Sequence, residues 1–399
     1  MSPPGRPRVA LIGANGHGLW HRRQLAERAD RLALVALSDP APVTEAEGAA
    51  FPVGAEVFTD HRAMLAAARP DVVVICTPPH THLAIATDAL RAGCDILLEK
   101  PPVLSRAEDT ALAGVAAQTG RAVQVGFQAL GSRALTHLLD AVAAGAVGDV
   151  RGVAAVAAWQ RPDTYYERAA WAGRRSVGGR PVLDGALVNP LAHAVMQALV
   201  VAQAAGGRPD AEVLRAEVER YRTRPIEVDD TACLRVTMRD APPVLVAVTL
   251  CGEDFIRGEI IVYGSRGQAV LEYPTDRLQL PDDAKSIEVP GRVSLLDNLL
   301  EHRADPGVAL IAPLERTLPF TVLVEAITEA PEPSDVDPAC VVITERDGQT
   351  HRTIAGINDV LRRSADRQQL FIESGVEWAG TAPHQWTGEP LQTGAPTGV

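Results

Sequence analysis

Within the first 128 residues, short and almost wholly apolar runs alternate with stretches whose apolar residues recur at helical spacing. The runs are RVALIG (8–13), LALVALSD (32–39), DVVVICTP (71–78), DILLEKPP (95–102) and AVQVGF (122–127); the helical patterns cover 17–29, 60–69, 80–92 and 106–119. A strand apolar on both faces must be covered on both faces. Strands joined through helices run parallel. The pattern therefore predicts a doubly wound parallel sheet of the Rossmann type over residues 1–129. After about residue 130 the texture changes to longer alternating strands, VRGVAAVAAW, ACLRVTMRD, VLVAVTLCG, GEIIVYG and QAVLEY, joined by breaks such as MRDAPP and GSRGQ. Helices are expected at 132–145, 190–205, 293–302, 314–328 and 356–367. This part, 130–379, is read as an α+β domain with a large, mostly antiparallel open sheet. The Gly-, Pro- and Thr-rich tail 380–399 is expected to be disordered.

The formal net charge is −12, and no basic patch offsets it, so neither nucleic acid nor an anionic membrane is an expected partner. The adjacent Arg22 and Arg23 fall in a helical pattern and read as a solvated face. No apolar run approaches the ~20 residues of a membrane span, and the opening residues lack the apolar core of a secretion signal. Five scattered cysteines show no CxxC or Cys/His spacing. They read as thiols in a reducing cytoplasm, with no zinc site.

The first strand runs into Gly13-Ala14-Asn15-Gly16-His17-Gly18 and then a helix. A dinucleotide turn needs glycine for its tight bend, for backbone approach to a pyrophosphate, and for helix–strand packing. Gly13 and Gly18 hold the first and third positions. Asn15 stands in the second, where its tolerance of left-handed backbone keeps the turn feasible, and Gly16 follows. His17 lies in the same turn. The second strand ends at Asp39, placed to bind the adenosine ribose hydroxyls and to repel a 2′-phosphate. No Arg follows until Arg62, so NAD is expected rather than NADP. The plain alternative for Asp39 is a turn with Pro40.

The third and fourth strands end in Thr77-Pro78-Pro79-His80-Thr81-His82 and Glu99-Lys100-Pro101-Pro102, at the carboxyl edge where ligands bind such sheets. Lys100 and Lys285 are the only lysines in a chain that otherwise uses Arg. A lysine is a compact donor that changes protonation state, whereas Arg is a permanently charged fork. Glu99 is placed to pair with Lys100 or bond a ribose, and Pro101 follows a bond that tolerates cis. Gln128, after the fifth strand, is a candidate for the nicotinamide side, and His82 for capping or packing near the cofactor.

GANGHG, Asp39, CTPPHTH and EKPP together resemble the Gfo/Idh/MocA family of NAD(P)-dependent oxidoreductases, over nearly the whole chain. The resemblance implies a Rossmann domain followed by an α/β domain whose sheet forms an oligomer interface, hence a homodimer or homotetramer. It also implies that Lys100 contacts the reacting substrate oxygen. Relatives carry a glycine pair, then Asp-x-Gly-x-His, on the substrate side. Here Gly178, Gly179 and Asp184 match, but Val188 stands where the His is expected. Asn189-Pro190-Leu191-Ala192-His193 follows, similar to an N-x-x-x-H helix start in one branch of the family. Asn189 is read as the helix cap and Pro190 as its first residue. His193 is then the candidate general acid or base, with Asp184 and Asn189 as substrate ligands. Trp171 and Arg174 are candidates to line the substrate mouth. No metal is expected. The implied activity is hydride transfer between NAD and a secondary alcohol or carbonyl of a sugar, cyclitol or polyol. An NAD-retaining elimination or epimerisation and a non-catalytic NAD-binding regulator are the alternatives.

Overall fold

The computed structural model describes residues 5–44, 54–380 and 382–388; residues 381 and 389–399 of the expected tail lie outside these. The contacts divide the chain into two compact units. The first contains β1 (Arg8–Ile12), α1 (Gly18–Ala26), β2 (Ala33–Ser38), β3 (Glu56–Phe58), α2 (His61–Ala68), β4 (Val72–Ile75), α3 (His82–Arg91), β5 (Asp95–Leu98), α4 (Arg106–Thr119) and β6 (Val123–Val125). Its strands form a parallel sheet in the order β3-β2-β1-β4-β5-β6. Val9, Ala10, Leu11, Val72, Val73, Val74, Ile96 and Leu98 are wholly buried, as unbroken apolar strands require. The short β3, partly exposed, carried no such signal.

The helix limits follow local chemistry. Ser105 caps α4 by accepting from the Glu108 N–H, and Glu108 in turn accepts the Leu104 N–H at 2.9 Å. Gly120, with φ of 63°, ends the helix in left-handed backbone. The first unit also draws in Arg174–Asp184 and Pro290–Glu325, which the sequence reading assigned to the second domain. The latter is held by the buried Gln124, whose Nε2 donates to Asn298 at 2.7 Å while its Oε1 accepts the Ala312 N–H at 2.9 Å.

The remaining elements are α5 (Arg133–Ala143), β7 (Val150–Gln160), β8 (Ser176–Val177), β9 (Arg180–Pro181), α6 (Ala192–Ala205), β10 (Val213–Arg222), β11 (Thr231–Met238), β12 (Val244–Thr249), β13 (Cys251–Gly264), β14 (Gly267–Glu272), β15 (Arg277–Gln279), β16 (Ile287–Glu288), α7 (Leu295–Ala304), α8 (Leu314–Glu329), β17 (Ser334–Asp335), β18 (Val341–Arg346), β19 (Gln349–Ile354), α9 (Ile357–Arg367) and β20 (His384–Thr387). In the second unit a ten-stranded sheet runs β16-β15-β14-β13-β7-β12-β11-β10-β17, with β20 also on β10. It is antiparallel except for β7–β12 and β10–β17.

Both faces of this sheet are covered at its centre. Ala154, Val156 and Ala158 of β7 share a core with Ile357, Val360 and Leu361 of α9 and with Leu370 and Phe371. The alternate residues Val153, Ala155 and Ala157 are also wholly buried, and α6 packs on the same strands. The centre of the sheet that the resemblance makes an oligomer interface is thus covered within one chain, the C-terminal segment supplying the cover on one face. Part of the expected disordered tail is likewise ordered: His384–Thr387 pairs antiparallel with β10. Among the described residues no helix is long and apolar enough to cross a membrane.

Candidate active site

The glycine turn is built by close contact. A Cβ on Gly13 would stand 2.1 Å from the Cys76 carbonyl oxygen, and one on Gly18 would stand 1.9 Å from the Gly13 carbonyl oxygen. Neither position tolerates a side chain. Gly13 and Gly16 supply the left-handed backbone, with φ of 85° and 55°, and Gly16 faces open space. Asn15 has no positive φ, so its expected left-handed role is corrected. It works through hydrogen bonds instead: its N–H donates to Asp39 at 3.1 Å, its Nδ2 to the Pro42 carbonyl at 3.2 Å, and its Oδ1 accepts the Thr44 N–H. Asp39 also accepts the Ala41 N–H at 3.0 Å, the turn bond of the plain alternative. A cradle of three glycines at a helix N-terminus, with an acid at the end of β2, fits a dinucleotide.

Behind this turn sits Glu99, buried at the end of β5. Its Oε1 accepts from His21 Nε2 at 2.9 Å and from Gln128 Nε2 at 3.0 Å; its Oε2 accepts the Lys100 backbone N–H at 3.1 Å. Burial alone would raise the carboxyl pKa. The His21 hydrogen bond and the charges of His21, His17 and Lys100 outweigh it and hold the group well below the usual carboxylate range. His21 was missed by sequence reasoning, because its partner lies 78 positions away. The HxxxH spacing of His17 and His21 was the available signal. His17 stacks on Trp20, and burial, partly offset by Glu99, lowers its pKa. Arg22, read as solvated, is 1% exposed and donates to the Thr44 carbonyl; Arg23 is exposed.

His82 ties the two proline loops together. Its Nε2 meets the Thr77 carbonyl at 2.8 Å and its Nδ1 the Pro101 carbonyl at 2.9 Å. Burial pushes its pKa down despite those carbonyls. Pro78 opens the turn that Thr81 closes, its carbonyl accepting the Thr81 N–H at 2.9 Å. The Lys100–Pro101 bond is cis, and Lys100 is half-buried. Thus Gly13, Asn15, Gly16, His17, Gly18, Asp39, Thr77, Pro78, His82, Glu99, Lys100 and Gln128 all belong to the first unit, between the strand ends and the first residues of the helices that follow.

Arg174 and Asp184 belong to the first unit as well; Arg174 is exposed, Asp184 is 2% exposed, and the Asp184 N–H donates to the Arg174 carbonyl at 3.3 Å. Gly178 and Gly179, both with positive φ, make the two-residue turn between β8 and β9. Trp171, Asn189 and His193 belong to the second unit. Trp171 lies under the Arg168 guanidinium, 4.7 Å from ring centroid to Cζ. Asn189 is not the cap of α6: the helix begins at Ala192 and Leu191 precedes it. The chain bends before it because Asp229 is buried against the turn. Its carboxylate accepts the Leu187 N–H at 3.3 Å, its carbonyl accepts the Ala186 N–H, and a Cβ on Gly185 would stand 2.4 Å from its Oδ1. His193 lies half-buried in the first turn of α6, and Val188 is buried.

Residues 7–127 match the model of the oxidoreductase family with an NAD-binding Rossmann fold, and residues 135–270 match the GFO/IDH/MocA C-terminal domain. The chain belongs to the Gfo/Idh/MocA oxidoreductase family. Its cofactor class is NAD. Among curated Gfo/Idh/MocA relatives, D-glucoside 3-dehydrogenase of Escherichia coli (strain K12) is 32% identical over 145 residues, 36% of this chain and 41% of that protein. Inositol 2-dehydrogenase of Rubrobacter xylanophilus is 36% identical over 143 residues, 35% of this chain and 40% of that protein. The matches thus span about two fifths of these relatives. The fold resembles the WlbA dehydrogenase of Bordetella pertussis in complex with NADH and UDP-GlcNAcA, with a TM-score of 0.67, 23% identity, and coverage of 81% of this chain and 95% of that one.

Proposed function

We propose that this chain is an NAD-dependent dehydrogenase acting on a secondary alcohol, or the matching carbonyl, of a sugar, cyclitol or related polyol. The observation that carries the proposal is the anchoring of Lys100. The buried carboxylate before it accepts from α1 of the glycine turn, from Gln128 and from Lys100's own backbone. The lysine that meets the reacting oxygen is thereby fixed to the element that holds the cofactor. Glucoside and inositol dehydrogenases among the relatives supply the substrate class.

When bound, NAD supplies the acceptor or donor of two electrons at a carbon centre. The chain's own groups do the rest. Lys100 stabilises the negative charge that develops on the substrate oxygen. His193 takes or returns the hydroxyl proton, and Asp184 and Asn189 hold neighbouring hydroxyls. Trp171 and Arg174 are further candidate substrate contacts. Asp39 selects NAD over NADP by repelling a 2′-phosphate. The free cysteines suit a reducing cytoplasm. Association into a dimer or tetramer, tested by light scattering, would use a surface other than the centre of the covered sheet.

The test is to follow NADH absorbance with inositols, aldoses and sugar acids, using NAD and NADP in parallel. Growth of the signal with one compound class and NAD is expected. Turnover with NADP equal to that with NAD would remove the role given to Asp39. No reduction of NAD or NADP by these compounds, together with no oxidation of NADH or NADPH by their keto forms, would contradict the proposal.

A further inference from the structure

We propose that His17, His21 and Glu99 form a binding site for a zinc-class divalent cation, in competition with the dinucleotide. The imidazoles are four residues apart where the glycine turn enters α1, so they project to the same side. Their rings meet edge to face with centroids 5.5 Å apart. Glu99 reaches them from the end of β5. His21 Nε2 lies 2.9 Å and His17 Nε2 3.8 Å from the same oxygen, Glu99 Oε1. The three ligand atoms lie within 4.8 Å of one another.

Nitrogen and oxygen ligands sit about 2.0–2.2 Å from zinc, which sets tetrahedral ligand–ligand edges near 3.4 Å. The two separations above bracket that edge. Accommodation needs His21 and Glu99 to part, and His17 to close on Glu99, each by a few tenths of an ångström, and the two imidazole nitrogens, which lie within 4.8 Å of each other, to come to the same edge. The ion replaces the proton that bridges His21 Nε2 and Glu99, and that proton leaves to solvent. Two imidazoles and one carboxylate suit zinc better than magnesium or calcium, which prefer all-oxygen shells. Gln128 already donates to Glu99 Oε1 and the Lys100 N–H to Oε2, the outer-shell support that orients a ligating carboxylate. The His17 side chain is 61% exposed, whereas those of His21 and Glu99 are 3% and 8% exposed, so the ion enters past His17 and keeps a fourth position for water. The charge of Lys100 acts on the same carboxylate and weakens the site by repelling the ion. Because His17 lies within the glycine turn, ion and dinucleotide meet at one mouth. This last point rests on NAD binding at that turn.

Cobalt(II) is the probe, because four-coordinate cobalt absorbs in the visible far more strongly than the hydrated ion. It is titrated into the nucleotide-stripped full-length protein and into His17→Ala, whose fold is checked by circular dichroism. The expected result is a tetrahedral-type band that saturates at one equivalent in the native chain, is displaced by zinc, and is bleached by NAD. In H17A the affinity falls more than about 100-fold, beyond the range for an outer-shell partner. No band in the native chain, or an unchanged band in H17A, would overturn the site. A band that depends on His17 but persists in saturating NAD, with NAD binding verified separately, would leave the site and overturn the competition.

Discussion

Glu99 in the first unit and Asp229 in the second are both carboxylates withdrawn from water behind a segment that carries candidate site residues. Their surroundings act in opposite directions. Glu99 is met by two histidines and a lysine, which keep it ionised despite burial. Asp229 has Arg220 at 3.7 Å, yet burial pushes its pKa up. The difference lies in how the nearby donors are committed. His21 bonds Glu99 directly at 2.9 Å, whereas Arg220 also donates to the Ala330 and Pro331 carbonyls. A buried acid becomes a fixed anion only where donors converge on it. Glu99 therefore anchors by charge, and Asp229 by shape and backbone hydrogen bonds.

Three substitutions press on that contrast. Glu99→Gln, which removes the charge but keeps the shape, is expected to cost about 3 kcal/mol in urea unfolding, because it strips the anion from a buried, donor-rich site. A loss under 1 kcal/mol would erase the distinction from Asp229. Asp109 supplies the limiting case of a buried acid: among the described residues no cation pairs with it and its Oδ1 has no hydrogen-bond partner, and burial together with Glu315 raises its pKa to about 7. An acid raised in the folded state binds protons there that the unfolded chain has released. Stability then falls as pH rises from about 4 to about 7. Asp109→Asn should match the native chain at pH 4 and exceed it by about 2 kcal/mol at pH 8, a figure reduced from the full shift for partial solvation. A constant difference across that range would show that Asp109 is ionised throughout. Asp229→Asn should be the mildest, within about 1 kcal/mol of the native chain at neutral pH, since an amide oxygen can still accept the Leu187 N–H.

The same contrast explains what could be read from the chain. Five of the six strands of the first unit, the limits of α4 and the glycine turn were legible because local rules act on them: apolar runs, a serine cap, glycines at required contacts. β10 was not, because VLRAEVERYR interleaves charges that resemble a surface. In the fold Glu219 accepts the Phe371 and Ile372 N–H groups, and Glu217 pairs with Arg235. The exposed β18 and the half-buried β19 carry no alternating apolar pattern. The Glu99–His21 bond and the Asp229 buttress were hidden for a different reason, since each joins residues far apart in sequence. The start of α6 was misplaced because Asn189 and Pro190 mimic a cap, while Asp229 decides where the chain actually turns.

The central claim is that Lys100 works on the substrate rather than in holding the cofactor. Turnover of Lys100→Ala, measured beside its NAD dissociation constant, tests it most directly. The account predicts a fall in turnover of about 10²–10⁴, the range for a positioned proton-transfer or charge-stabilising group, with NAD affinity within about threefold of the native value. Turnover equal to the native enzyme would remove Lys100 from the chemistry, and a loss confined to NAD affinity would make it a cofactor ligand instead.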